Sequence, residues 1–170
     1  ENFKREDESL ITANTILKNS LGTGYLEEFN HRTSLKERIR LLVDAMEEAT
    51  GMQNMGEYLT TLFEIDALFL NQDRHLNNIA LIRDRFRYKP CPIFDCGDSF
   101  LLDFALYSPE IESRAYLTKA QCLPFKSRFT QTVHTAQTLY GKQLAVNIDK
   151  TGIDTILDKY LCYYPKQFHF

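Results

Sequence analysis

The feature of the sequence that most constrains the fold is a polar run set between apolar segments. The segment NQDRHLNNIALI, residues 71–82, follows the apolar text LFEIDALFL and itself ends in the apolar run IALI. Its polar and ionisable side chains include Asp73, Arg74, His75, Asn77 and Asn78. Because buried polar groups need hydrogen-bond partners, a fold that places this run between two core elements must build a polar network there.

The composition is that of an ordinary globular domain. The chain has 170 residues, of which 44% are apolar and 25% are charged, so it is long enough for a sizeable core. We predict one domain over residues 1–170. The formal net charge of −3 disfavours direct nucleic-acid binding, which needs a basic surface, and it disfavours binding to an anionic membrane. No apolar run reaches the roughly 18 residues of a membrane-spanning helix.

The cysteines indicate the compartment. Four of them, at positions 91, 96, 122 and 162, occur without a C-x-x-C pair. This pattern is typical of free thiols in a reducing cytosol, and it disfavours a zinc site because no second ligand pair has the spacing of a zinc finger. We therefore expect a cytoplasmic protein.

Two helices are predicted in the first third of the chain. Apolar residues at positions 10, 13, 16 and 17 indicate a helix that starts near Ser9 and ends at Gly22. The text SLKERIRLLVDAMEEATG is the clearest helix, because Ser34 and Glu37 have the spacing of a capping box. Gly51 supplies the left-handed residue that commonly ends a helix.

Three further helices are predicted, on either side of a segment in which the spacing of apolar residues is no longer helical. One spans about residues 55–70, one covers SRFTQTVHTAQTLYG, and the last spans about residues 153–162, started by Asp149 or Thr151. In the middle, NIALI and PIFD are short apolar runs separated by the polar text RDRFRYKPC. These runs predict the two strands of a hairpin. The predicted fold class is therefore mainly α with a small inserted β-hairpin.

The hairpin gives the polar run a chemical meaning. It brings the loop that carries Asp73 and Asn78 beside Asp95, at the end of the second predicted strand. Carboxylate and amide oxygens are suitable ligands for Mg²⁺, and a second carboxylate can orient a hydroxyl. We expect Gly97 to permit a sharp turn or the close approach of a ligand. Phosphoryl transfer needs this kind of positioning and charge neutralisation.

These residues resemble a kinase catalytic segment. Asp73 and Asn78 keep the Asp-x4-Asn spacing, and Asp95-Cys96-Gly97 keeps the D-x-G frame. The order D-R-H departs from the usual H-R-D and is similar to two outlying families. One is the HipA-like serine/threonine kinases, which include bacterial toxins of toxin–antitoxin systems; the other is the phosphoinositide-kinase-like group. The short gap before Asp95, the text PIFDCGDSFLLD and the helix LFEIDALFLNQ favour the HipA-like family, over residues 57–103.

The resemblance implies roles for single residues. It implies the C-terminal lobe of a protein-kinase-like fold, with ATP and Mg²⁺ as cofactors. Asp73 matches the catalytic aspartate, and Asn78 and Asp95 match the ligands of the metal and its nucleotide. His75 matches a catalytic-loop histidine that orients the loop or contacts phosphate; a structural histidine that fixes the loop by hydrogen bonds is the alternative.

Other polar residues near the motif have simpler expected roles. Arg74 and Asn77 are supporting candidates only. Asp66 lies on an otherwise apolar helix and is expected to anchor the loop by hydrogen bonding, because a buried unpaired carboxylate is costly. The segment RDRFR is expected to be a solvated hairpin tip, with contact to an acidic partner as the alternative.

The nucleotide-binding lobe of such a kinase is not recognisable in this sequence. No glycine-rich loop precedes a strand with a nucleotide-binding lysine, and LGTGY is expected to be a turn. Because the first residue is Glu1, we expect an internal piece or a processed chain. The other lobe is then either removed or supplied by a separate partner chain, and an antitoxin is another candidate partner. As an isolated lobe, the chain is expected to bind ATP weakly and to have little activity.

The sequence therefore predicts transfer of the γ-phosphate of ATP to a serine or threonine hydroxyl of a protein substrate. Two alternatives stay open. One is a degenerate kinase-fold module that regulates a partner without catalysis. The other is a lipid or small-molecule kinase that uses the same loop.

Overall fold

The computed structural model describes residues 4–32, 34–101, 113–117, 120–147 and 149–161. Within these residues the fold is mainly helical, as the sequence predicts, and the strands form two small antiparallel sheets. The elements are, in chain order, β1 (Ser9–Thr12), α1 (Ala13–Leu21), α2 (Tyr25–His31), α3 (Leu35–Thr50), α4 (Met55–Phe69), β2 (Ala80–Arg83), β3 (Tyr88–Pro90), α5 (Ser113–Leu117), β4 (Gln121–Cys122), β5 (Ser127–Arg128), α6 (Phe129–Tyr140) and α7 (Lys150–Leu161).

The main core lies between the helices. Helix α4 packs against α6 and α3, and α3 also packs against α1. The ring of Phe125 is fully buried at the centre, where its centroid lies 5.7 Å from that of Phe29 and 5.5 Å from that of Phe63. Burial of such aromatic side chains provides much of the hydrophobic free energy of a domain of this size.

The predicted helix ends are confirmed where a capping residue close in the sequence determines them. The Ser34 hydroxyl accepts a hydrogen bond from the Glu37 backbone N–H at 3.1 Å, and the Glu37 carboxylate accepts one from the Ser34 N–H at 3.3 Å. Gly51 ends α3 with φ 72°. Asp149 precedes α7 and its carboxylate accepts a hydrogen bond from the Gly152 N–H at 2.8 Å; residue 162, at the predicted end, lies outside the described residues.

The first predicted helix is wrong over its first turn. Residues Ser9–Thr12 form β1, which pairs antiparallel with β2 from Ser9 opposite Arg83 to Thr12 opposite Ala80. Helix α1 begins only at Ala13, because the Thr12 hydroxyl caps it by accepting a hydrogen bond from the Thr15 N–H at 3.2 Å. The predicted end at Gly22 is correct. Pairing with a distant strand therefore overrides the helical spacing of the apolar residues.

The second strand of the hairpin also differs from the prediction. It is β3, Tyr88–Pro90, and the text PIFD that was expected to form it contains no strand. The turn is tight because the Asp84 carboxylate accepts hydrogen bonds from the N–H groups of Phe86 and Arg87 at 2.8 and 2.9 Å. The ladder ends at Pro90, which has no N–H to donate.

The hairpin belongs to a three-stranded sheet in the order β1-β2-β3. The middle strand β2 is buried on both faces. Leu81 points into the main core, whereas Ala80 and Ile82 pack with Cys91 and Phe94 in a second, smaller cluster. A strand fixed on both faces holds the loop that precedes it in a defined position.

Several smaller elements carry no clear sequence signal. Helices α2 and α5 and the β4–β5 ladder were not predicted, because each is too short for its periodicity to be visible. The text LGTGY contains a turn, as expected. The cysteines at 91, 96 and 122 are free thiols, as predicted, and the fourth lies outside the described residues. None of the helices in the described ranges is long and apolar enough to cross a membrane.

The crossing of α4 and α6 is close at Gly56, where a Cβ atom would overlap the ring of Tyr140. We expect Gly56→Ala to lower the free energy of unfolding by about 1–3 kcal/mol, because overpacking forces the neighbouring ring to move. Denaturant unfolding followed by circular dichroism measures the change. Gly24→Ala is the control, since a Cβ there meets no atom within 4 Å; an unchanged Gly56→Ala midpoint would contradict the close crossing.

The N-terminal stretch is attached to the sheet by a buried carboxylate. The Glu8 side chain is fully buried and accepts hydrogen bonds from Lys89 Nζ at 2.7 Å and from the Arg5 backbone N–H at 2.9 Å. The hydrogen bond from Lys89, followed by that from the Arg5 backbone, lowers the pKa of Glu8 from 4.5 to about 2. The ionised form is therefore the one that stabilises the fold.

Glu8→Gln is expected to lower the thermal unfolding midpoint, and this decrease should become smaller as the pH falls. Because the pKa is lower in the folded state, the stabilisation is fully present above about pH 4.5 and is lost as the pH falls towards about 2. Thermal unfolding of both proteins across this range should show the two midpoints converging at low pH. Glu6→Gln, at an exposed position, is the control; a difference that stays constant down to pH 2 would disprove the linkage.

Candidate functional site

The polar run forms the loop between α4 and β2. Helix α4 ends at Leu70, whose backbone is left-handed with φ 55° and whose N–H donates to the Asp66 carbonyl. The loop then folds on itself: the His75 N–H donates to the Asp73 carbonyl, and the Asn78 N–H donates to the His75 carbonyl, both at 2.8 Å. The side-chain amide of Asn78 donates to the Asp73 carbonyl at 3.0 Å. These bonds bring three of the predicted site residues into one compact turn.

The centre of the site is the Arg74 guanidinium, which is completely buried. Its Nε and Nη2 atoms each donate to one oxygen of the Asp66 carboxylate at 2.9 Å, a bidentate ion pair. The Asn71 side chain also donates to Asp66, at 2.8 Å. Burial by itself would lower the pKa of Arg74, but the hydrogen bonds and the charge of Asp66 outweigh it and raise that pKa. The predicted anchoring role of Asp66 is confirmed.

The same guanidinium joins the loop to the D-x-G segment. Its Nη1 atom donates to the Asn78 carbonyl at 3.0 Å and to the Phe94 carbonyl at 2.6 Å, and Nη2 contacts the Cys96 sulfur at 3.4 Å. All five N–H donors of Arg74 therefore have an acceptor. Because Asp95 lies between Phe94 and Cys96 in the chain, these contacts bring its backbone beside that of Asn78.

Further contacts fasten the D-x-G segment along the end of α4. The Gln72 N–H donates to the Asp98 carbonyl at 3.2 Å, and the Phe100 N–H donates to the Phe69 carbonyl at 2.8 Å. The rings of Phe69 and Phe100 meet edge to face, with their centroids 5.4 Å apart. The segment therefore has a second attachment, independent of Arg74.

The predicted site residues differ in their exposure. Asp73 is half exposed, and its carboxylate lies 3.9 Å from His75 Nε2, too far for a hydrogen bond. Asp95 is exposed and Asn78 is buried. The Nδ1 atom of His75 is buried without a hydrogen-bond partner in the described part of the chain. Asn77, a supporting candidate, is exposed.

The donor set suits a hard cation. Asn78 directs its amide nitrogen towards the loop backbone, which leaves its amide oxygen available, and Asp95 adds an exposed carboxylate. One amide and one or two carboxylates are typical of Mg²⁺ sites, where water and phosphate complete the coordination. No group of three or more His, Cys, Asp or Glu side chains that could hold a metal ion occurs in the described ranges. A Mg²⁺ ion held by Asn78 and Asp95 would therefore take its remaining ligands from water and phosphate.

The expectation for Gly97 is corrected in one respect. The sharp turn of the D-x-G segment is made by Asp95, whose φ is 54°, and Gly97 does not adopt a left-handed conformation. Aspartate tolerates this region better than most residues because its short side chain can hydrogen-bond locally. Phe100 and Leu101 follow with φ values of 59° each, so backbone strain is concentrated beside the candidate site.

The sequence reasoning missed the role of Arg74, which was expected only to support the loop. A signal for it was present: Asp66 lies on a buried helix face and needs a cation, and Arg74 is the nearest arginine that follows it in the chain. Comparison with protein-family models, curated proteins and solved structures finds no match to this chain.

Arg74→Met should be strongly destabilising. It leaves the Asp66 carboxylate buried and unpaired and removes the donors that join Asn78 to Phe94, which we expect to cost about 3–5 kcal/mol of unfolding free energy. Denaturant unfolding measures this cost. Arg87→Met is the matched control, because that side chain is 84% exposed, and its effect should stay within about 0.5 kcal/mol. Equal stabilities of the two variants would refute the proposed centre of the network.

Proposed function

We propose that this chain is the C-terminal lobe of an ATP- and Mg²⁺-dependent serine/threonine protein kinase that resembles the HipA-like family. The observation that carries the proposal is the shared guanidinium of Arg74, which contacts the backbone on both sides of the candidate site, at Asn78 and at Phe94. An Asp-x4-Asn loop and a D-x-G segment are thereby adjacent, as this chemistry requires.

Asp73 is the proposed catalytic base. Its half-exposed carboxylate stands on a loop held by internal hydrogen bonds, so a substrate hydroxyl can approach it and give up a proton. His75 Nε2 lies 3.9 Å from the same carboxylate, and His75 is proposed to orient the loop or to contact phosphate. Fixed geometry of this kind supplies a large part of the rate in phosphoryl transfer.

Asn78 and Asp95 are the proposed ligands of the metal and of the nucleotide it accompanies. When bound, Mg²⁺ supplies neutralisation of the phosphate charge. The amide oxygen of Asn78 is held in place from behind by the hydrogen bond to Asp73, and the strained turn at Asp95 directs that residue outwards. The adenine and the rest of the phosphates need a second lobe, which we propose is supplied by further sequence or by a separate chain.

Phosphotransfer by the complete protein with its nucleotide lobe tests this proposal. With labelled ATP, Mg²⁺ and a panel of protein substrates, Asp73→Asn should lower kcat by about 100- to 10,000-fold, because a general base contributes that much. Asp95→Asn should instead raise the Mg²⁺ concentration needed for half-maximal rate. Circular dichroism must show that both variants remain folded, and Asp44→Asn, at an exposed position on α3, should leave the rate unchanged.

The outcomes separate the alternatives. An Asp73→Asn protein that transfers phosphate at the wild-type rate contradicts the assigned role. Transfer by the wild type to a lipid or a small molecule, and not to protein, favours the lipid or small-molecule kinase. A wild type that transfers no phosphate to any of these acceptors favours the non-catalytic regulatory module.

A further inference from the structure

The hairpin between β2 and β3 ends in a tip, residues 83–87, that the proposed catalytic chemistry does not use. Phe86 at its end is 92% exposed, more than any other large hydrophobic side chain in the described ranges. Arg85 and Arg87 stand on either side of it, and both are exposed. Exposure of a large aromatic side chain to water is unfavourable. Aromatic residues and arginine are enriched in protein interfaces, where they often contribute most of the binding energy.

The shape of the tip is fixed before any partner binds. The Asp84 carboxylate accepts hydrogen bonds from the N–H groups of Phe86 and Arg87, and the Asp84 N–H donates to the Arg87 carbonyl at 3.1 Å. These backbone bonds, that from Phe86 first, lower the pKa of Asp84. The carboxylate of Asp84 is thus occupied by hydrogen bonds within the turn. Because the turn is already ordered, its backbone loses little conformational entropy when a partner binds Phe86.

Among the described residues, the arginines of the tip have at most one long ion pair. Arg83 lies over the ring of Tyr88, 5.4 Å from its centroid, and Arg85 makes no ion pair with any residue that the structure describes. Arg87 reaches Asp84 only at 3.8 Å. Beside Arg83 and Arg85 lies a cavity of about 290 Å³ that Asp7 and Asp84 also line, so the excess positive charge lies on the exposed side of the tip, at Arg85 and Arg87. The tip is therefore a small cationic surface on a chain whose formal net charge is −3.

We propose that this tip is a docking site for an acidic segment of a partner protein. Phe86 would pack against apolar side chains of that segment, and Arg85 and Arg87 would pair with carboxylates on either side. Guanidinium groups match carboxylates by two parallel hydrogen bonds.

Charge and size favour a protein over other anionic partners. A nucleic acid presents a long row of phosphates and needs a longer cationic track than three arginines. An anionic membrane would also face Asp7, which lines the same cavity, and a single aromatic ring provides little apolar area for insertion. A short acidic segment needs only the local charge that the tip carries.

Fluorescence anisotropy with the 170-residue chain and a labelled peptide of alternating glutamate and leucine tests the proposal. We expect saturable binding that weakens as salt is added. Phe86→Ala and Arg85→Glu should each weaken it at least tenfold, as expected for dominant interface residues. Lys36→Glu is the matched charge control, because Lys36 is exposed at the start of α3, and it should bind as the wild type does.

The proposal is overturned if the peptide does not bind, or if Phe86→Ala and Arg85→Glu bind as tightly as Lys36→Glu. It is also overturned if vesicles of phosphatidylcholine and phosphatidylserine, or a short single-stranded DNA, bind through the same residues and the peptide does not. Thermal unfolding must first show that the variants keep the wild-type midpoint. Asp73→Asn should bind the peptide normally, so this test is independent of the catalytic assignment.

Discussion

The buried ion pair between Asp66 and Arg74 is the interaction on which the rest of the structure depends. Moving two charges out of water is expensive, and their attraction offsets that cost only when the remaining donors and acceptors are also satisfied. Arg74 meets this condition because each of its N–H groups has an acceptor. A lysine in its place has three donors and no planar fork, so it cannot make the same set of contacts.

The pair also explains how three separate segments of the chain come together at one site. Asp66 comes from α4, the Asn78 carbonyl from the loop, and the Phe94 carbonyl from the segment that follows the hairpin. One rigid, planar group fixes the distances among all three. Side chains carried on such a framework need no large rearrangement before they act, which is the condition under which positioning contributes to catalysis.

The features that were predicted correctly depend on interactions between residues close in the sequence. The capping box at Ser34, the left-handed Gly51 and the apolar stripe of α4 each depend on neighbours a few residues away, and all were found. The strand Ser9–Thr12 was taken for a helical turn because its partner, β2, lies some seventy residues further along the chain. The position of β3 was missed because the Asp84 carboxylate, a side-chain interaction, decides where the turn closes.

The candidate site also contains features that the sequence predicts and features that it does not. Asp66 was expected to anchor the loop because a carboxylate on an apolar helix face demands a partner. Arg74 was undervalued, since an arginine within a polar run ordinarily has its charge in water. The roles of Asp73, His75, Asn78 and Asp95 in phosphotransfer stay predictions that the contacts of Arg74 support. The left-handed turn at Asp95 was invisible because backbone strain depends on the tertiary fold.

That strain has a consequence for motion. Three left-handed residues, Asp95, Phe100 and Leu101, lie within one short segment, and each costs on the order of 1–3 kcal/mol relative to a relaxed backbone. Within α3 no residue has a left-handed backbone, and at α4 only the C-cap Leu70 does. Local opening should therefore begin in the D-x-G segment and leave α3 and α4 intact, so that the side of the site that carries Asp95 moves while the side anchored on α4 stays fixed.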